Sequence, residues 1–188
     1  MTIKPYEDKY LNDCREIMIK TAPTRQVKTE KGKKATLNLY CDFYLEFSPD
    51  TCFVVANEND KAVGVILCHP NFNKYEQDFR KYYLKNTYKI SFFAGLMRSF
   101  LFKVERLYAK KYPAHLHIDI LDGYQRMGLG HKLVNALTER LKELNVGGLY
   151  LIVGNVNKKG VSFYKKYGFK KYKSLFGQAT VFGLEIKG

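Results

Sequence analysis

No stretch of 18 or more apolar residues occurs in this 188-residue sequence, so no segment is long and apolar enough to cross a membrane as a helix, and no membrane partner is expected. The first residues, MTIKPYEDKYLND, lack the basic-then-apolar order of a secretory leader, and a cytoplasmic location is expected. Cysteine is sparse. Cys14, Cys41, Cys52 and Cys68 are scattered, with no C-x-x-C pair and no histidine at ligand spacing. That argues against a metal site and leaves buried or half-buried thiols in a reducing compartment as the reading. Acidic residues are also short, 18 against 32 lysines and arginines, giving a net charge of +14. The basic residues are spread along the chain without a block of five or six like charges. The charge is therefore a background field, and a nucleic-acid groove is not expected. Internal repeats and low-complexity tracts are absent. What is present, 46% hydrophobic and 15% aromatic residues over a length that suits one domain, can bury a core.

Periodicity divides the chain coarsely. Residues 2–6 read as a strand and 7–21 as a helix with Tyr10, Leu11, Cys14, Ile17 and Met18 at three- and four-residue steps. Residues 24–34 are polar and read as a loop, and 36–47 as a second helix. TCFVVA and AVGVILCH flank NENDK as an antiparallel hairpin. Residues 71–112, long, aromatic and basic, read as a helical insertion of two helices, 74–86 and 91–111. Then follow a strand (115–121), a loop (122–130), a helix (131–144) and a strand (149–153), a βαβ unit whose strands should be parallel. Asn157 can cap a third helix stopped by Gly168, and two strands close the chain around Gly177.

The loop is the informative part. In Gln125-Arg126-Met127-Gly128-Leu129-Gly130-His131 a strand ends, the chain turns through two glycines and a helix begins. The first N–H groups of a helix have no partner within it and carry partial positive charge, so the turn suits phosphate oxygens. Gly128 and Gly130 are expected to remove side chains that would block a ligand. The dinucleotide fingerprint fails because position 133 is Leu133, and the Walker pattern is absent.

Gln-x-x-Gly-x-Gly after a strand resembles the pyrophosphate-binding signature of the GCN5-related N-acetyltransferases, the GNAT family. NKKGVSFYKKYGF, from Asn157 to Phe169, resembles that family's second motif, with Tyr164 seven residues after Asn157. More narrowly, YPAHLHIDILDGYQRMGLG is similar to the acetyltransferase-like domain of O-GlcNAcases and their bacterial single-domain relatives. The resemblance implies an α+β fold in α/β/α layers: a mixed, mostly antiparallel sheet with a splayed parallel pair at its middle and helices on both faces. It implies acetyl-CoA as co-substrate and no metal. The pyrophosphate would lie on Gln125, Arg126, Met127, Gly128, Leu129, Gly130 and His131. The pantetheine would pair along the first strand, with its thioester near Ile118–Leu121, and Ile120, Leu121, Asn157 and Tyr164 would contribute to the cofactor site. Residues 71–112 are not explained by the resemblance and could wall the acceptor pocket.

Along 115–121, Leu116, Ile118 and Ile120 share the core side, while His115, His117 and Asp119 share the other. Ionisable residues beside the implied thioester suit proton transfer. His117 can deprotonate an amine directly or through water; Asp119 can orient its surroundings or hold the ammonium. Tyr164 matches the tyrosine the family often uses as general acid toward the departing thiolate, with Tyr167, one turn later, as the decoy. The expectation is acetyl transfer to a primary amine, of a small molecule or a peptide, by direct attack in a ternary complex. The alternative is a non-catalytic relative that binds coenzyme A or a partner. Monomer and homodimer both stay open.

Overall fold

The alternation of residues 115–121 becomes the middle strand of a sheet. The protein is described by a computed structural model covering residues 1–187, in which seven strands form one mixed sheet. These are β1 (Thr2–Pro5), β2 (Phe53–Ala56), β3 (Ala62–His69), β4 (Ala114–Ile120), β5 (Gly148–Gly154), β6 (Lys170–Leu175) and β7 (Ala179–Glu185), in the order β1-β2-β3-β4-β5-β7-β6. All neighbours are antiparallel except β4 and β5. Those two pair only at Ala114↔Leu149 and His115↔Tyr150. Each is meanwhile held along its length by its outer neighbour, β4 by β3 from His115 to Ile120 and β5 by β7 from Gly148 to Gly154. The outer ladders keep both strands straight while the gap between them opens.

Helices cover both faces. One face is packed by α1 (Leu11–Thr21), α2 (Thr24–Val27), α3 (Glu30–Tyr40), α4 (Asp42–Phe47), α5 (Phe72–Asp78), α6 (Leu84–Ile90) and α7 (Phe92–Ala109), around an aromatic cluster that includes Tyr10, Phe43, Tyr44, Tyr75, Phe79 and Phe102. The other face carries α8 (Leu129–Glu143) and α9 (Lys158–Tyr167). In α8, Leu133, Val134, Leu137 and Leu141 recur at helical spacing and are fully buried. Each contributes about 1.5–3 kcal/mol of apolar burial. Helix α9 starts at Asn157, whose side chain accepts from the Gly160 N–H at 2.8 Å, and stops at Gly168, as the sequence predicts.

Two stretches depart from the sequence reading. Residues 24–34 are not a loop: α2 and the start of α3 are separated only by a bend at Lys28 and Thr29, and Thr29 caps α3 by accepting from Gly32 N–H at 3.0 Å. The expected single helix over 36–47 is broken at Cys41, where φ reaches −131°. Helix α8 also begins two residues early, at Leu129. The insertion does form helices, α5 and α6 joined through a π-helical turn at Phe79–Tyr83, then α7. All four cysteines are buried and free.

Candidate functional site

After β4 the chain makes a single turn at Asp122–Tyr124 and then inverts its backbone twice, at Arg126 (φ +63°) and Gly128 (φ +75°), before α8. Left-handed Gly128 followed by right-handed Leu129 turns successive amides toward one side, the geometry of an anion nest. Lys132 N–H donates to Gly128 O at 3.2 Å. The N–H groups of Leu129, Gly130 and His131 precede that first bond and find no backbone acceptor among the described residues. The two glycines have different reasons. A Cβ on Gly128 would meet nothing within 4 Å, so its demand is conformational and the space in front of it is open. A Cβ on Gly130 would stand 2.9 Å from the Phe163 ring. Gly130 therefore lets α8 approach α9, a packing reason for glycine that the sequence reading did not include.

Beside this turn lies the free edge of β4. Leu121 N–H donates to Val63 O, toward β3, at 3.0 Å. By strand alternation the main-chain groups of Ile118 and Ile120 face β5, and pairing with β5 has already stopped at His115. Their N–H groups are donors along the gap. The ladder to β3 is unbroken there, with no bulge. Gln125 folds back, donating through Nε2 to Ile120 O and to Asp122 Oδ1, both at 3.0 Å. Arg126, Met127 and His131 are exposed around the turn, and Leu129 is buried beneath it.

The polar face of β4 points at the aromatic layer. Tyr44 Oη lies 2.6 Å from His115 Nε2 and 3.1 Å from His117 Nε2, so one phenol ties both imidazoles together. Burial holds His115 well below the usual imidazole range and lowers His117 to about 4, helped by the Arg98 charge. Both are neutral at pH 7. Asp119 behaves oppositely: burial raises its carboxyl to about 6. Of the two expected proton carriers, Asp119 is thus the one poised near neutrality. Tyr44→Phe would strip a hydrogen-bond partner from both imidazoles, and thermal unfolding should show a loss of roughly 1–3 kcal/mol.

Tyr164 projects from α9 into the core between Phe163, Phe169 and Phe182. Its hydroxyl bonds to no other described residue, and burial, then the nearby Asp119 charge, pushes its pKa up. Tyr167 instead donates to Asn135 Oδ1 at 2.7 Å, on the far side of α8. Asn157 has its side-chain oxygen committed to capping α9.

Where β4 and β5 diverge, a cavity of about 140 Å³ opens, lined by Tyr40, Tyr44, Arg98, Glu105, His115, His117 and Tyr150 among others. Sequence reasoning took His117 from this group, placed His115 on the same face without a role in the site, and missed Tyr44, Arg98 and Glu105. The signal available for the last two was an opposite-charge pair seven residues apart, hence on one face of α7.

Comparisons with known proteins agree with this geometry. A family model described as Acetyltransferase (GNAT) family matches residues 11–169. A curated N-alpha-acetyltransferase of Sulfurisphaera tokodaii is 39% identical over 59 residues, which are 31% of this chain and 35% of that protein, so the matched stretch spans about a third of the relative. Among solved structures, one described as SsHAT superposes with a TM-score of 0.87 at 22% identity, covering 100% of this chain and 98% of the other. A PaiA N-acetyltransferase from Thermoplasma acidophilum in complex with coenzyme A superposes at 0.63, with 13% identity and 98% of both chains covered. At these identities the two structures establish the fold.

Proposed function

The chain belongs to the acetyltransferase (GNAT) family, and from that premise we propose that it transfers the acetyl group of acetyl-CoA to a primary amine by direct attack in a ternary complex. One observation carries the reading: the turn of unpartnered amides before α8 adjoins the unpaired edge of β4. An elongated ligand with a diphosphate at one end and amide groups along its arm is matched by both. The amides of Leu129, Gly130 and His131 hold the diphosphate. Ile118 and Ile120 pair with the arm, which sets the thioester beside Asp119.

Two proton movements remain. The acceptor arrives as an ammonium, and Asp119, ionised above about pH 6, takes its proton directly or through water. His117, neutral and tied to Tyr44, positions the acceptor rather than taking the proton. The nitrogen attacks the thioester carbon, and the developing oxyanion meets a main-chain N–H of the β4 edge. On collapse the C–S bond breaks, and Tyr164, uncharged because burial raises its pKa, protonates the departing thiolate. The free thiols are all buried, which agrees with transfer that forms no acyl-cysteine.

The test is release of free thiol from acetyl-CoA across a panel of amines, together with calorimetric titration of acetyl-CoA. Saturable binding with amine-dependent turnover is expected. Binding without turnover on any amine would favour a non-catalytic coenzyme-binding protein. Tyr164→Phe is expected to lower kcat by about 10²-fold with acetyl-CoA affinity unchanged within twofold. An unaltered kcat removes Tyr164 from the acid role.

A further inference from the structure

Helix α7 buries an ion pair that the proposed reaction does not use. Arg98 and Glu105 are 6% and 5% exposed and are hydrogen-bonded to each other through Nη2 and Oε2. A pair in this setting is weak evidence for stability, because desolvation offsets most of the attraction. Its position suggests another role, since both residues line the cavity between β4 and β5. Three buried polar atoms on the cavity's wall residues have no partner among the described residues: Arg98 Nε, His115 Nδ1 and the Tyr150 hydroxyl. Buried polar groups are normally satisfied, so three orphans around one cavity point to a ligand that brings their partners.

Resting on the acetyl-transfer reading, we infer that this cavity seats the acceptor, and that the acceptor is a small amine whose far end carries uncharged oxygen, a hydroxyl or an amide, as in an amino alcohol or amino sugar. Charge decides the class. Arg98 and Glu105 neutralise each other, and the remaining wall groups, Tyr40, Tyr44, Tyr150 and the two histidines, are uncharged at pH 7. A second ammonium would be buried beside the Arg98 guanidinium with Glu105 already engaged. A carboxylate would meet Glu105 with Arg98 already engaged. Both cases bury a charge without a counter-charge. A hydroxyl accepts from Arg98 Nε and exchanges hydrogen bonds with Tyr150 and His115 without that cost. Size agrees: about 140 Å³ is well under the roughly 300–1,000 Å³ of drug-sized sites, so only a small acceptor end is enclosed.

The experiment uses four amines of nearly equal length that differ at the far end: 3-amino-1-propanol, β-alanine, 1,3-diaminopropane and butylamine. With wild-type protein, kcat/KM for the hydroxyl-ended amine should exceed each of the others at least tenfold. In Arg98→Met/Glu105→Leu, which keeps volume and removes both charges, that preference over butylamine should collapse to under threefold through KM. Acetyl-CoA affinity reports that the variant is folded. Should the double variant fail to fold, Tyr150→Phe removes a single orphan hydroxyl, and the same preference should fall. Faster turnover of β-alanine or diaminopropane, or a preference untouched in the variants, overturns the assignment. If acetyl-CoA binds but no amine turns over, the transfer reading fails by itself. Calorimetry on the CoA-loaded protein then decides the cavity. Aminopropanol binding that the variants lose upholds the assignment, and no binding overturns it.

Discussion

Replacing Gly128 with glutamate is expected to abolish acetyl-CoA binding while leaving the protein folded. The residue sits at φ +75° with open space around it, on the exposed turn before α8. Two effects combine. A side chain in the left-handed region costs about 1–2 kcal/mol, which disfavours the turn that aligns the amides. The carboxylate then stands where the diphosphate is expected, and like charges at close range in a partly dry site oppose binding by several kcal/mol. Gly128→Ala separates the two, since it keeps the strain and lacks the charge. Calorimetry should show a loss of about tenfold for alanine and more than 10³-fold for glutamate. Thermal unfolding should show only that strain of about 1–2 kcal/mol, alike in both variants, because a Cβ at 128 meets nothing within 4 Å. Equal, small losses in both variants would mean that the diphosphate lies elsewhere.

Asp119→Asn is the second large effect, and it should act on rate and stability in opposite directions. The carboxyl is raised to about 6 in the folded protein against an ordinary 3.8. The reactive form is the carboxylate, so kcat/KM should fall as pH drops below about 6. In the asparagine variant that acid limb should vanish and the plateau should fall about 10²–10⁴-fold. Stability follows from linkage. Between pH 3.8 and 6 the folded chain binds more protons at this site than the unfolded chain, so stability declines as pH rises through that window. The penalty is complete above pH 6. Removing the charge should stabilise the protein at pH 7 by roughly 1–3 kcal/mol, readable in denaturant or heat, and should make no difference near pH 3. A variant that is slower but no more stable would place the carboxylate in water rather than in the site.

How far the sequence displayed this arrangement depended on whether the cause was local. Strand β4, the glycine turn and α8 were legible because alternation, two glycines and the apolar face of Leu133, Val134, Leu137 and Leu141 all lie within 30 residues. The Asn157 cap and the Gly168 stop were legible for the same reason. Helix α3 was not. Its lysine-rich start looks like a loop, and its polar Asn38 is buried because Asn38 Nδ2 donates to Thr87 Oγ1 at 2.7 Å, 49 residues away. The site divides in the same way. The face bearing His115, His117 and Asp119 could be read off a period of two. That Tyr44 ties both imidazoles depends on packing across more than 70 residues. The packing reason for Gly130 was not legible because it comes from another helix, as the ring of Phe163.

The claim on which all of this rests is that the amides at the start of α8 hold the diphosphate of coenzyme A. A crystal structure of the protein with coenzyme A measures it directly. The account predicts phosphate oxygens within hydrogen-bonding distance of the N–H groups of Leu129, Gly130 and His131, with the pantetheine arm running along Ile118 and Ile120. A nucleotide seated anywhere else, with those amides turned to solvent, would contradict it.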